Sequence, residues 1–242
     1  MTFRRQLDIL VDRNLAVHWG AKGALLAMLA QAPVIGYFIG VAWSGQEPAP
    51  QTYFVMAVAS LWMGCMNACT AVVQERSIYR RERMFGLDPR AYLLSKLSVL
   101  AAAAAAQTLL LLLVQSRMMH LGESWGQELM RFLILWTANV AAAGLGLAVS
   151  CFAKTSYGAV VAVPILLIPQ VLFSRILLQD NIDSTLPALF EKLTITKWAY
   201  DSLVDLQGGG KVLEQLKCFG ALAASLLAYS AVSWLKLRTD EV

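Results

Sequence analysis

Long apolar stretches alternate along the chain with short segments that carry nearly all of its charge. Six stretches of about twenty residues hold almost no charged side chain, and a bilayer core requires about twenty apolar residues per helix. We therefore predict an all-α membrane protein with six transmembrane helices, at residues 23–43, 52–73, 92–114, 132–152, 158–178 and 218–235. Continuous apolar runs exclude both a soluble enzyme and an outer-membrane barrel, whose strands alternate between apolar and polar residues.

The first 22 residues have a different pattern, because charged side chains occur throughout them. They lack the apolar region of a cleavable signal peptide. The side chains that recur near one helical face are Phe3, Leu7, Leu10, Asn14 and Val17. This pattern predicts an interfacial connecting helix over 1–22, followed by a single six-helix domain over 23–242. A plain cytosolic tail is the alternative interpretation.

Composition supports a membrane location, and the distribution of charge predicts the orientation. Hydrophobic residues make up 58% of the chain and charged residues 15%, against about 45–50% and about 25% in soluble domains. With the N terminus inside, the inner segments hold 13 of the 20 basic residues and 7 acidic ones, whereas the outer segments hold 7 basic and 9 acidic residues. Basic residues concentrate in inner loops. We expect both termini to be cytoplasmic in a multi-pass protein of the inner (plasma) membrane, and no nucleic-acid partner.

No motif for catalysis or for metal binding stands out. Cys65 and Cys69 are four residues apart in the second span, but no histidine accompanies them, so we interpret them as small packing residues. The Gly-rich run that ends at Lys211 lacks the Ser or Thr and the earlier Gly of a phosphate-binding loop, so it predicts a turn. We expect no catalytic residue, no metal and no cofactor bound by this chain itself.

The segment between the second and third spans, residues 74–91, is the most informative one. Glu75, Arg76, Tyr79 and Arg83 recur at helical spacing, so opposite charges can pair along one face. Asp88-Pro89 then predicts a helix start, with Asp as the cap and Pro in the first turn. An ordinary positively charged inner loop explains the arginines but not the glutamates among them, because acidic residues contribute little to topology.

Three segments resemble one family of membrane proteins. VVQERSIYRRERMFGLDPRAYLLSKL is similar to the charged loop of ABC exporter permeases of the G subfamily, the White and pleiotropic-drug-resistance group. FRRQLDILVDRN resembles the connecting helix of that family, and LTITKWAYDSLVDL resembles the outer segment before its last helix. Eukaryotic members carry a fused ATPase domain and an outer loop that often contains cysteines, whereas residues 179–217 of this chain hold no cysteine and its first predicted span begins about twenty residues after Met1. We therefore expect a separate, bacterial-style permease subunit, or a permease half expressed alone.

The resemblance implies partners and a coupling site. It implies an ABC nucleotide-binding subunit that holds ATP and Mg²⁺, a second permease copy or a sister permease, and surrounding membrane lipids. It also implies a polar relay between the charged loop and the connecting helix. This relay transmits the closure of the ATPase to the permease. The residues assigned to this relay are Arg13, Glu75, Arg76, Arg80, Arg81, Glu82 and Arg83. Neutralisation of lipid headgroups is the rival role for the arginines.

The resemblance further implies that the second and fifth spans face a substrate path between two copies. On the second span we assign Ser60, Met63, Asn67 and Thr70 to this path, because they share one helical face. On the fifth span we assign Phe173 to the outer end of the cavity and Leu177 and Leu178 to an outer gate. The alternatives are that Asn67 only fastens helices together and that the two leucines face lipid. Asn139 on the fourth span is predicted to be such a fastener.

These observations predict the permease subunit of an ATP-driven exporter that moves an amphipathic or lipid-like substrate outward. The alternative is a membrane scaffold or sensor that transports nothing and recruits a cytoplasmic partner through its charged loop. An enzyme acting on lipids is disfavoured, because the sequence offers no convergent acid, base or metal-ligand set.

Overall fold

In the computed structural model, residues 2–44, 49–119, 124–174, 176 and 190–239 are described, and these contain no strand. The helices are α1 (Phe3–Gly20), α2 (Lys22–Ala42), α3 (Pro50–Ala68), α4 (Arg76–Met84), α5 (Pro89–Met118), α6 (Trp125–Phe152), α7 (Ser156–Leu172), α8 (Ile195–Gln207) and α9 (Val212–Thr239). A short 3-10 helix at Val73–Glu75 leads from α3 into α4. The protein is thus all-α in its described part, as predicted.

Five helical segments in the described part are long and apolar enough to cross a membrane. They correspond to five of the predicted spans, and α7, with 17 residues, is a shorter apolar helix at the place of the other. Several predicted limits are wrong by a few residues. The second span ends as an α-helix at Ala68, whereas α5, α6 and α9 extend beyond the predicted limits into flanking polar residues. The sixth span and the cytoplasmic placement of the termini stay predictions.

Short polar side chains fix where several helices begin. The Asp88 carboxylate accepts a hydrogen bond from the Arg90 N–H at 2.8 Å, with Pro89 in the first turn of α5, as the sequence predicts. Ser124 and Thr155 cap α6 and α7 in the same way, and each accepts from the backbone N–H three residues later. Because these caps satisfy N–H groups that have no partner inside the helix, they define the starts of the helices.

The centre of the bundle is the tightly packed pair α3 and α6. A Cβ atom on Gly64 of α3 would overlap the backbone carbonyl of Asn139, and one on Gly146 of α6 would overlap the carbonyl of Cys65. Only glycine permits this approach, and small residues allow close packing of membrane helices. Most residues of α6 are therefore buried, whereas α2 and α9 lie at the periphery and leave large apolar side chains exposed.

The described part of the outer segment is ordered by α8, which packs against α3, α6 and α9. The glycine-rich run after α8 forms the predicted turn, since Gly209 and Gly210 have φ values of 106° and 62° and the Lys211 N–H donates to Asp205. Gln215 at the start of α9 donates to the Ser202 carbonyl at 2.8 Å. The turn is thereby held against α8.

Candidate coupling site and membrane path

The charged segment after α3 places two glutamates against basic side chains of other helices. The Lys96 Nζ of α5 lies 2.7 Å from the Glu75 Oε2. The Arg13 Nη2 of α1 lies 3.9 Å from the same oxygen, and the Arg13 Nη1 donates to the Glu82 Oε1 at 2.5 Å. We call these four side chains, Arg13, Glu75, Glu82 and Lys96, the ion network. It joins α1, α4 and α5.

The two halves of the ion network differ in burial. The Lys96 side chain is 6% exposed and that of Glu75 is 23% exposed, so their pair is largely shielded from water. The Arg13 and Glu82 side chains keep 32% and 30% of their surface exposed. A buried charge requires a partner, whereas an exposed pair contributes little to stability. The Lys96–Glu75 pair is therefore the structural centre of the network.

Arg76 attaches the start of α4 to the end of α6. Its Nη2 donates to the carbonyl oxygens of Cys151 at 2.6 Å and of Ser150 at 3.3 Å. These carbonyls belong to the last turn of α6, where the helix carries partial negative charge. The Ser150 hydroxyl oxygen in turn accepts from the N–H groups of Val72 and Val73. The turn that precedes α4 is thus fixed to α6.

Tyr79 lies on the face of α4 that packs against the other helices. Its side chain is 1% exposed, its hydroxyl donates to the Leu237 carbonyl of α9 at 3.1 Å, and its ring centroid lies 4.8 Å from that of Tyr92 on α5. Tyr79 thus links α4 to α5 and α9, Arg76 links it to α6, and the ion network links it to α1 and α5. A displacement of α4 therefore acts on several helices at once.

The outward face of α4 remains free in the described structure. Ile78, Met84 and Phe85 are 40%, 60% and 87% exposed. Arg80 and Arg81 are exposed too and form no ion pair among the described residues, while Arg83 makes only a long contact of 3.4 Å with the Leu87 carbonyl. Of the predicted relay residues, the structure therefore brings together Arg13, Glu75 and Glu82, anchors Arg76 elsewhere, and leaves Arg80 and Arg81 on the surface.

The residues predicted for a substrate path occupy different environments. Ser60 and Met63 are fully buried between helices of the same subunit, and Asn67 and Thr70 are partly exposed. Phe173 stacks on Phe190 with ring centroids 5.1 Å apart. Leu177 and Leu178, the predicted outer gate, lie outside the described residues. The assignment of these residues to a substrate path stays a prediction.

Asn67 takes part in a hydrogen-bonded chain across three helices. Its Nδ2 donates to the Gln107 Oε1 of α5 at 2.8 Å, and the Gln107 Nε2 donates to the Met28 carbonyl of α2 at 2.7 Å. The Asn67–Gln107 hydrogen bond joins α3 to α5, which agrees with the alternative interpretation that Asn67 fastens helices together. Asn139, which was predicted to fasten helices, does not do so in the described structure: its buried amide nitrogen and oxygen have no hydrogen-bond partner there. The described residues thus supply no fastening hydrogen bond for Asn139, whose amide oxygen faces Gly64 of α3.

An apolar groove of 320 Å³ lies between α3 and α7. It is lined by Val58, Leu61, Trp62, Pro164, Leu167, Ile168, Val171 and Leu172. Trp62 is 41% exposed on the outer face of α3. The groove therefore lies between the two spans that the resemblance assigns to the path, but it uses other residues of α3 than those predicted.

The described residues contain no group of three His, Cys, Asp or Glu side chains that could hold a metal ion. Cys65 and Cys69 are buried free thiols on α3, and the Cys69 Sγ lies 3.2 Å from the Met66 carbonyl. Both contribute to the packing of α3.

Sequence reasoning missed Lys96, Tyr92 and Gln107. Each lies within the predicted third span, where a polar or charged side chain is costly and requires a partner inside the protein. The signal was therefore available for Lys96 and Gln107. Their partners were not readable, because Glu75 and Met28 lie 21 and 79 residues away in the chain.

Comparison with known proteins identifies the family. A search of curated protein sequences finds no match. The profile of the family described as ABC-2 type transporter matches residues 5–207. The matched region runs from α1 to the end of α8 and so includes the ion network and the α3–α7 groove. Members of this family form the membrane permease component of ABC transporters. The chain, a multi-pass membrane protein, belongs to the ABC-2 type transporter family.

Proposed function

We propose that the chain is the permease subunit of a G-subfamily-like exporter in the inner (plasma) membrane, and that α4 is the helix through which a cytoplasmic ATPase subunit drives it. ATP and Mg²⁺ bind to the ATPase subunit. The observation that carries the proposal is that α4 is anchored on one face and free on the other. A helix of this kind can receive a contact and pass a displacement to the bundle.

The free face of α4 has the composition of a binding surface. Aromatic, Met and Arg side chains are enriched in protein interfaces, and Phe85, Met84 and Arg81 lie exposed together at the end of the helix. Phe85, at 87% exposure, offers the largest apolar area to a partner. We expect it to insert into a pocket of the ATPase subunit, since a few such anchors supply most of the affinity of an interface.

The anchored face of α4 supports transmission of movement. Coupling between distant sites requires an element with two arrangements that both sites bias. The ion network links α4 to α1 and α5, and Arg76 links it to α6. Movement of α4 toward or away from the ATPase therefore changes charge contacts on several helices, and the membrane helices move with it.

The substrate path lies, in this proposal, between two permease copies and along the α3–α7 groove. The groove is almost entirely apolar, and the partly exposed Asn67 and Thr70 add polar groups to α3. A surface with these properties suits an amphipathic or lipid-like substrate. The exposed apolar side chains of α7, such as Ile165 and Ile168, are available to a second copy.

The test is copurification of an ATPase with the full-length chain from its native cells. We expect the purified complex to hydrolyse ATP, and the Phe85→Ala variant to retain less than about one tenth of the copurifying ATPase, as for the loss of an interface anchor. Leu213→Ala is the matched control, because Leu213 is 65% exposed at the start of α9, 24 residues before Leu237, whose carbonyl contacts Tyr79 of α4. It should retain the wild-type amount.

Two results would contradict the proposal. If the Phe85→Ala variant retains the wild-type amount of copurifying ATPase, α4 is not the contact with the ATPase subunit. If the wild-type chain copurifies with no ATPase but with another cytoplasmic protein that binds α4, the result would favour the function of a scaffold or sensor.

A further inference from the structure

A second groove lies between α5 and α6, at the end of the bundle opposite the ion network. Its volume is 580 Å³, within the range of about 300–1,000 Å³ that is usual for ligand sites. It is lined by Leu109, Leu112, Leu113, Ser116, Ser124, Trp125, Glu128, Leu129 and Phe132. Neither the coupling site nor the α3–α7 groove shares any of these residues.

The groove is apolar along its length and polar at one end. Leucines and Phe132 form its long walls, while Ser116, Ser124 and Glu128 lie where α5 ends and α6 begins. Ser116 follows Lys96 by 20 residues on the same helix, which at 1.5 Å per residue is about 30 Å. This equals the thickness of a bilayer core. The polar end therefore reaches the headgroup level of the leaflet opposite the ion network.

Glu128 gives this polar end its charge character. Its Oε1 accepts a hydrogen bond from the Arg131 Nη1 at 2.5 Å, and the Arg131 residue is only 3% exposed, so the arginine lies behind the groove. The Glu128 side chain keeps 31% of its surface exposed. Since no basic side chain is among the described residues that line the groove, its polar end offers carboxylate and hydroxyl oxygens to a ligand. It suits a hydrogen-bond donor that carries positive charge.

We propose that this groove binds one phosphatidylethanolamine molecule. An acyl chain lies along the leucines and Phe132, and the primary ammonium group donates to Glu128, with Trp125, 93% exposed, beside the headgroup. The ammonium group of ethanolamine provides N–H donors for a carboxylate, which the quaternary group of phosphatidylcholine lacks. Phosphatidylglycerol has no positively charged group that could donate to Glu128.

The test is native mass spectrometry of the full chain titrated with phosphatidylethanolamine, phosphatidylcholine and phosphatidylglycerol of identical acyl chains. We expect the first phosphatidylethanolamine to bind at least threefold more tightly than the first molecule of either other lipid. Glu128→Gln should abolish this preference. Glu214→Gln is the matched control, because Glu214 on α9 forms the same i,i+3 pair, with Lys217, and should leave the preference unchanged.

A second variant keeps the proposal testable if Glu128→Gln destabilises the buried Arg131. Leu113→Trp enlarges a side chain that is 50% exposed in the groove and leaves the ion pair intact. It should weaken binding of the first phosphatidylethanolamine to the level of the other lipids. Equal binding of the three lipids by the wild-type chain, or a preference that survives in both variants, would overturn the proposal.

Discussion

The Lys96 Nζ, which belongs to the apolar helix α5, lies 2.7 Å from the Glu75 Oε2 at the turn into α4. A lysine that is 5% exposed on a membrane helix is costly unless it has a partner. The pair therefore both stabilises the bundle and ties the charged segment to it. The same contact gives the proposed coupling site its position.

Glu75→Gln should destabilise the protein more than the double variant Glu75→Gln/Lys96→Met. The single change leaves the buried Lys96 without its carboxylate partner. Removing one partner of a fully buried pair costs about 3–5 kcal/mol, and we expect a smaller loss because Glu75 is 23% exposed. The measurement is thermal unfolding in detergent, arranged as a double-mutant cycle. Additive effects of the two single changes would show that the pair contributes no coupling energy.

The same substitution, Gln to Leu, should have different effects on stability at two positions of α5. Gln107→Leu removes both bonds of the chain to Asn67 and Met28 and should lower the free energy of unfolding by about 1–3 kcal/mol. Gln115 is fully buried, and neither of its amide atoms has a partner among the described residues. Gln115→Leu should therefore be neutral or stabilising. Unfolding by heat compares the two, and a similar loss at both positions would refute the assigned contacts.

Gly146→Ala should destabilise the α3–α6 pair. The added methyl group would overlap the Cys65 carbonyl, which belongs to a helix backbone and cannot move alone. Overpacking of this kind costs about 1–3 kcal/mol. Gly220→Ala on α9 is the control, because no atom lies within 4 Å of its added Cβ, and alanine is the better helix former. Equal stability of the two variants would contradict the close packing.

The sequence predicted the all-α class and the place of each apolar helix, because a continuous run of hydrophobic residues can be read from the order of residues without knowledge of tertiary contacts. It also predicted the start of α5, since Asp88 and Pro89 act within one turn. Helix limits were less accurate: α6 begins at Trp125 rather than Phe132, because Ser124 caps the helix eight residues before the first residue of the predicted span.

The ion network was predicted in part. The interleaved charges pointed to Glu75 and Glu82, the family resemblance implied Arg13, and these three side chains lie together, while their role in coupling stays a prediction. The roles of Lys96 and Tyr79 depend on contacts with residues far away in the chain, and no local pattern reveals such pairs. The buried positions of Ser60 and Met63 follow from the glycine-mediated approach of α6 to α3, which helical spacing on α3 alone cannot indicate.

The most direct test of coupling through α4 is a nucleotide-dependent distance between two permease copies in the assembled complex. Spin labels at Ile168→Cys are suitable, because Ile168 is 53% exposed on α7 and all four native cysteines are buried. Glu82→Lys places a second positive charge beside Arg13, while Glu214→Lys is the control outside the ion network. We predict that ATP changes the distance in the wild type and in Glu214→Lys, but not in Glu82→Lys, although that complex still hydrolyses ATP. The same ATP-dependent change in Glu82→Lys would contradict coupling through the ion network.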